Sequence, residues 1–220
     1  MTHCELSIAE LALSPSDLYR EMGYGNQTPD AGVVREVEAL LAQVARIARP
    51  RYAFVVSEVD LLAGGYFNVG KLIRSQLGGA EAFALFVATA GVEFEAFVQT
   101  VKQQGDMVQN YLLDAVGSVV AEKTADRMEE ALQASLEPRG WHHTNRFSPG
   151  YCGWSVAEQH QLFRLFPTPA PCGIRLMESG LMIPLKSVSG ILGVGARVQK
   201  RDYACRFCRQ PNCFRRKEQA

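Results

Sequence analysis

The run AFALFVATA, residues 82–90, does most to limit how this 220-residue chain can fold. Nine residues with one hydroxyl among them read as a strand covered on both faces, and such a strand needs other elements packed above and below it. Gly91 closes the run and a helix over 92–104 follows. The longest helical pattern spans 106–136, with Val108, Leu112, Ala115, Val119 and Met128 at helical spacing and Pro138 beyond its end. Two further helices announce their starts. Ser14-Pro15 with Asp17 opens one that stops at Gly23. Thr28-Pro29-Asp30 opens another to about residue 48, with Val33, Val37, Leu40, Leu41, Val44 and Ile47 on one stripe.

Between these elements, 51–59 reads as a strand, 61–69 contains a Gly-Gly turn that would complete a hairpin, and 71–77 reads as a short helix. After Gly140 the texture changes. A Pro/Gly/aromatic loop occupies 146–154, and a helix over 155–166 carries Ser155 and Glu158 at capping-box spacing. Segments 174–177, 181–183 and 187–194 read as short strands. The sum is an α+β fold, a mixed sheet of five or six strands with helices packed on it. His142 and His143, adjacent and so badly placed to share a metal, read as solvated loop residues.

With 47% hydrophobic and 21% charged residues, a disordered chain and a coiled coil are excluded. No apolar stretch approaches the ~20 residues of a spanning helix, so no membrane association is expected. The first ten residues lack a basic region and do not read as a secretory signal, and with no export signal the six cysteines are expected reduced, in the cytoplasm. The net charge of zero hides an uneven spread. Residues 195–220 hold eight basic and two acidic residues, which leaves fifteen basic and twenty-one acidic in the first 194. We therefore expect a domain over 1–194 and a basic, Cys-rich tail over 195–220. The tail is either a solvated end or a docking patch for an anionic partner.

The stretch RFSPGYCGW is the richest in chemistry. Pro149-Gly150 forms a turn where Gly150, without a Cβ, lets a ligand approach the backbone. Arg146 offers a planar fork suited to a carboxylate. Tyr151 and Trp154 offer flat faces to a base or macrocycle. The alternative is an ordinary helix-entry loop with Arg146 on the surface.

Some thirty residues downstream lies ESGLMIPLKSVSGI: Glu178, Ser179, Met182, Pro184, Ser187, Val188, Ser189 and Gly190. The R-x-x-P-G-Y loop followed by this E-S-x-x-M-x-P-x-x-S-V-S-G segment resembles the activation (reactivation) domain of vitamin B12-dependent methionine synthase, in its small stand-alone form. The helix carrying Asp114 and Glu122 resembles the family's long helix. The resemblance implies a twisted, largely antiparallel sheet with flanking helices and a shallow groove for S-adenosylmethionine. It implies docking over cobalamin on a corrinoid protein or truncated methionine synthase, with an electron from a donor such as flavodoxin. It places Arg146 on the ligand carboxylate, the backbone around Ser148, Pro149 and Gly150 on the adenosine, and Tyr151 near the corrin. Glu122 and Glu178 would face the sulfonium or amine. The chain contains no cobalamin-binding D-x-H-x-x-G motif. It also lacks the family's early aromatic, Asp-containing stretch and, after Gly193, its distal Tyr-containing segment.

That distal position holds C-x2-C-x4-C instead: Cys205, Cys208 and Cys213. Such spacing suits zinc or an iron–sulfur cluster, with Cys152 as candidate fourth ligand and Cys4 and Cys172 behind it. Three reactive thiols in a basic segment are the alternative. Competing functional readings are a non-catalytic corrinoid-protein adaptor or S-adenosylmethionine sensor. A nucleic-acid binder is disfavoured by the acidic body.

Overall fold

A computed structural model describes residues 1–25 and 27–201. A five-stranded sheet runs in the order β1 (Thr2–Glu5), β2 (Arg51–Ser57), β3 (Ala82–Thr89), β7 (Ser187–Gly195), β4 (His142–His143). Every pairing in it is antiparallel, so the sheet is uniform where a mixed one was expected from patterning. A separate antiparallel pair joins β5 (Arg175–Leu176) and β6 (Met182–Ile183). As the apolar run demanded, β3 is buried along its whole length, between β2 and β7.

One face of the sheet packs against α1 (Pro15–Glu21), α2 (Ala31–Ile47), α4 (Val92–Gln104) and α5 (Met107–Leu136). Phe54, Ala84, Phe86 and Leu192 meet Val37, Val44, Phe94, Val116 and Met128 there. The other face packs Phe83, Leu85, Val87 and Ile191 against α3 (Gly70–Gln76), α6 (Gln159–Arg164) and the loops bearing Phe67 and Trp154.

The helix starts follow their capping residues. Ser14 and Asp17 exchange hydrogen bonds at α1, with the Asp17 amide donating to Ser14 Oγ at 3.3 Å and the Ser14 amide to Asp17 Oδ2 at 3.0 Å. The Asp30 carboxylate accepts from the amides of Gly32 and Val33 at α2. Asp106 caps α5 by accepting from the Gln109 amide. Val108, expected on the apolar stripe of α5, is exposed instead, because the first turn overhangs the core.

Four expectations need correction. Residues 61–69 form a loop around a 3-10 turn, not a hairpin strand, because Asp60 Oδ1 captures the amides of Leu62 and Ala63 that a ladder would need. Its Leu61, Phe67 and Val69 still reach the core. The helix after Ser155 begins as a 3-10 turn and its capping box does not close. Glu158 instead accepts from the Trp154 indole at 2.7 Å and from the Asn68 amide at 3.0 Å. The N-terminus, read only for what it lacked, supplies β1, in which Glu5 lies opposite Arg51. His142 and His143 are not loop residues: they form β4 on the open edge of β7, where His142 is exposed as expected and His143 is buried.

No helix among the described residues is long and apolar enough to cross a membrane.

Candidate functional site

The chain from β4 onward runs along the edge of β7. Its amide and carbonyl groups are stitched there: the Thr144 amide donates to the Gly193 carbonyl at 2.9 Å, and Phe147 and Ile191 exchange two bonds of 2.9 Å. Gly190 makes this crossing physically possible. A Cβ there would collide with the Phe147 carbonyl oxygen and lie 3.0 Å from the Phe86 ring. The two segments quoted for the family resemblance are thus in direct contact, Phe147 of the first lying over Gly190 and Ile191 of the second.

Side chains alternate along this edge. Phe147 packs into the core that holds Trp154, while Arg146 reaches the opposite way, to α5. On α5, Glu122, Asp126 and Glu129 follow at intervals of four and three residues and so share a face. Arg146 Nη2 donates to Asp126 Oδ1 at 2.8 Å and to Glu122 Oε2 at 3.5 Å, and its Nε lies 3.3 Å from Glu129 Oε2. The Arg146 side chain is 12% exposed and that of Glu129 7%, against 42% for Glu122 and 55% for Asp126. The cluster therefore grades from a buried floor to a wet rim.

A carboxylate as buried as Glu129 needs cationic or hydrogen-bonding partners. It has ion-pair partners in Arg146, in Lys200 with Nζ 2.5 Å from Oε1, and in His143 with Nδ1 3.7 Å from Oε1 when that ring is protonated, although none of these contacts gives Oε1 an aligned hydrogen bond. His143 Nδ1 also lies 2.8 Å from the Thr144 carbonyl; a carbonyl only accepts, so in this contact Nδ1 carries the proton. Asp126 keeps half its surface in water, yet burial of the rest pushes its carboxyl above the ordinary carboxylate range. Glu122 and Glu129 add to that rise, and Arg146 opposes it.

Arg146 has one donor group left over. Its Nη1 is buried and has no hydrogen-bond partner, although both neighbouring nitrogens face carboxylates. A buried donor left unpaired costs about 1–3 kcal/mol, so this is a position where an added acceptor would be stabilised. In the second segment, Ser189 Oγ is likewise buried without a partner. Arg146 is therefore not the free surface residue of an ordinary helix-entry loop.

Pro149 is buried, Ser148 half-buried and Gly150 exposed with φ +93°. The turn closes with the Gly150 amide donating to the Trp154 carbonyl at 2.8 Å and the Tyr151 amide to Ser148 at 3.2 Å. Tyr151 is 71% exposed, whereas Trp154, expected to offer a flat face, is sealed in the core against Phe67. Glu122, expected to face the sulfonium or amine, lies on the rim beside Arg146. Glu178 sits on the turn between β5 and β6, where its carbonyl lies 3.2 Å from His160 Nε2. Cys152 is exposed on the loop, and Cys205, Cys208 and Cys213 lie outside the described residues. Among the described residues no group of three or more His, Cys, Asp or Glu could hold a metal. Sequence reasoning missed Asp126, Glu129, His143 and Lys200. The acidic spacing on α5 was a readable signal for the first two.

A sequence profile described as vitamin B12 dependent methionine synthase, activation domain, matches residues 66–214, more than half of the chain. The chain belongs to that family. The activation-domain fold extends further than the profile. The crystal structure titled as the MetH reactivation domain bound to AdoHcy superposes with a TM-score of 0.63 over 87% of this chain and 77% of that one, at 16% identity. At that identity the likeness is one of fold, and its share of the chain exceeds the part that the profile matches.

Proposed function

We propose that this activation-domain protein binds S-adenosylmethionine at the Arg146 cluster and, acting in trans, supports reductive methylation of cobalamin carried by a corrinoid partner. The observation that carries the reading is the buried, unpaired Nη1 of Arg146 within the family's own motif. The AdoHcy of the similar crystal structure points to the same ligand class.

The ligand has one carboxylate, one ammonium and one sulfonium, a net charge of about +1 at neutral pH. The site offers one guanidinium edge for the first and the rim carboxylates of Glu122 and Asp126 for the other two. Glu178 would face the sulfonium or amine, the backbone around Ser148, Pro149 and Gly150 would frame the adenosine end, and Tyr151 would meet the corrin. In the reaction, one electron from a donor such as flavodoxin and the sulfonium's methyl group convert cob(II)alamin to methylcobalamin, and S-adenosylhomocysteine leaves. No general base is needed; the protein orients the methyl group and keeps water away. This reading places the protein in methionine biosynthesis and in the cytoplasm. The C-x2-C-x4-C spacing of Cys205, Cys208 and Cys213 supports a thiolate-held zinc or iron–sulfur centre, with Cys152 as fourth ligand. Metal analysis of anaerobically purified protein tests that part.

The deciding experiment is isothermal titration of S-adenosylmethionine into wild type and Arg146→Ala, followed by turnover of a cobalamin-loaded partner with a reductant. Saturable binding lost in the variant, with methylation of the partner, supports reactivation. Binding without methylation would leave a sensor or adaptor.

A further inference from the structure

We infer that the segment from Ala196 to Arg201 is a strap belonging to the ligand site, and that Lys200 positions Arg146 through Glu129. The inference rests on the proposed ligand and adds a residue that neither the motif nor the family match assigns.

The chain does not leave the domain when β7 ends at Gly195. The Ala196 amide donates to Glu81 Oε1 at 2.7 Å. Val198 is 5% exposed. Asn145, itself buried, holds Arg201 from both sides: its Nδ2 donates to the Arg201 carbonyl at 2.7 Å and its Oδ1 accepts from the Arg201 amide at 2.8 Å. Lys200 Nζ sits on Glu129 Oε1. Four ties in six residues are not the pattern of a fraying end. Two of them bear on Arg146, one through its chain neighbour Asn145 and one through the carboxylate that faces its Nε.

Lys200 is 59% exposed, and an ion pair between two such groups would contribute little. The weight comes from the other partner. Glu129 is almost wholly buried, and removing one cation from a buried carboxylate leaves charge uncompensated. With Lys200 gone, the released Oε1 turns to the nearest cation with open donors, the Arg146 guanidinium and its Nη1. The internal carboxylate then competes for the edge that the ligand's carboxylate uses. Lys200 thus keeps Glu129 engaged on one side so that Arg146 stays open on the other.

The test uses the full chain, with Lys200→Met and Lys200→Arg beside wild type. Two ligands are titrated, S-adenosylmethionine and its decarboxylated analogue, and the Arg146 Nε–H resonance is followed without ligand. We expect Lys200→Met to weaken S-adenosylmethionine roughly tenfold or more. It should leave the decarboxylated analogue unchanged and displace the Arg146 resonance, and Lys200→Arg should restore both. Equal loss of the two ligands would make Lys200 a structural residue only, and unchanged affinity and resonance would overturn the inference outright. If wild type binds neither ligand, the functional reading falls, while the resonance still decides whether Lys200 sets Arg146.

Discussion

Asp126 and Arg146 meet at 2.8 Å on the exposed rim of a site whose floor, Glu129, is buried. The guanidinium therefore faces three carboxylates from one helix and still has Nη1 unpaired. A site already holding a cation, yet acidic in balance, suits a ligand that brings both a carboxylate and positive charge.

Arg146→Ala should weaken S-adenosylmethionine roughly 10- to 100-fold, the value of one charge-assisted hydrogen bond of about 1.5–3 kcal/mol. Titration calorimetry reads this. A thermal melt of the same sample guards against simple unfolding, since the variant leaves Glu129 with fewer partners.

Asp126 gives a pH signature. Its folded-state pKa is raised by burial and by its acidic neighbours, so the native state holds the proton more tightly than the unfolded chain. The stability this brings is complete below the ordinary aspartate value and is lost as pH rises through the folded value. Wild type should therefore lose ground to Asp126→Asn as pH rises above about 4, the ordinary aspartate value, in denaturant titrations at each pH. A constant gap would place the carboxyl at its ordinary value.

Gly190→Ala should destabilise by at least about 1–3 kcal/mol, because a methyl group cannot fit beneath the Phe147 carbonyl without moving backbone. Hydrogen exchange should show the Phe147 and Ile191 amides losing protection first. Affinity for S-adenosylmethionine should fall with them, since Arg146 rides on the same crossing.

In protein stripped of metal by a chelator but still folded, Cys172 should resist alkylation at about pH 8 while exposed Cys152 is labelled, because thiolate is the reacting form. Burial pushes the Cys172 thiol up to about 12, whereas Cys152 is exposed. Mass spectrometry of tryptic peptides reads the order, and equal labelling would contradict it.

Much of the fold was readable because it is set by local chemistry. Asp30 and Ser14 begin their helices where capping residues predict, and the AFALFVATA run is the fully buried central strand. What escaped was set by partners far away in sequence. Thr2–Glu5 has no strand-like alternation and is a strand only because β2 offers it an edge. His142 and His143 become β4 because β7 is open beside them. Glu158 fits a capping box by spacing, but Trp154 and Asn68 bind it first. At the site, the motif named Arg146 and Glu122, and the helical interval pointed to Asp126 and Glu129. Nothing local marked Lys200, whose role depends on the chain turning back after β7.

The crossing of Phe147 over Gly190 also bears on how assembly with a partner divides its work. A loop pinned to β7 by a contact too close for any side chain has little freedom to reshape around an incoming surface. Its ordering entropy was met when the domain folded, and that preorganisation favours binding. Accommodation then falls to the other molecule: in such an encounter the partner adapts, and this domain acts as the template.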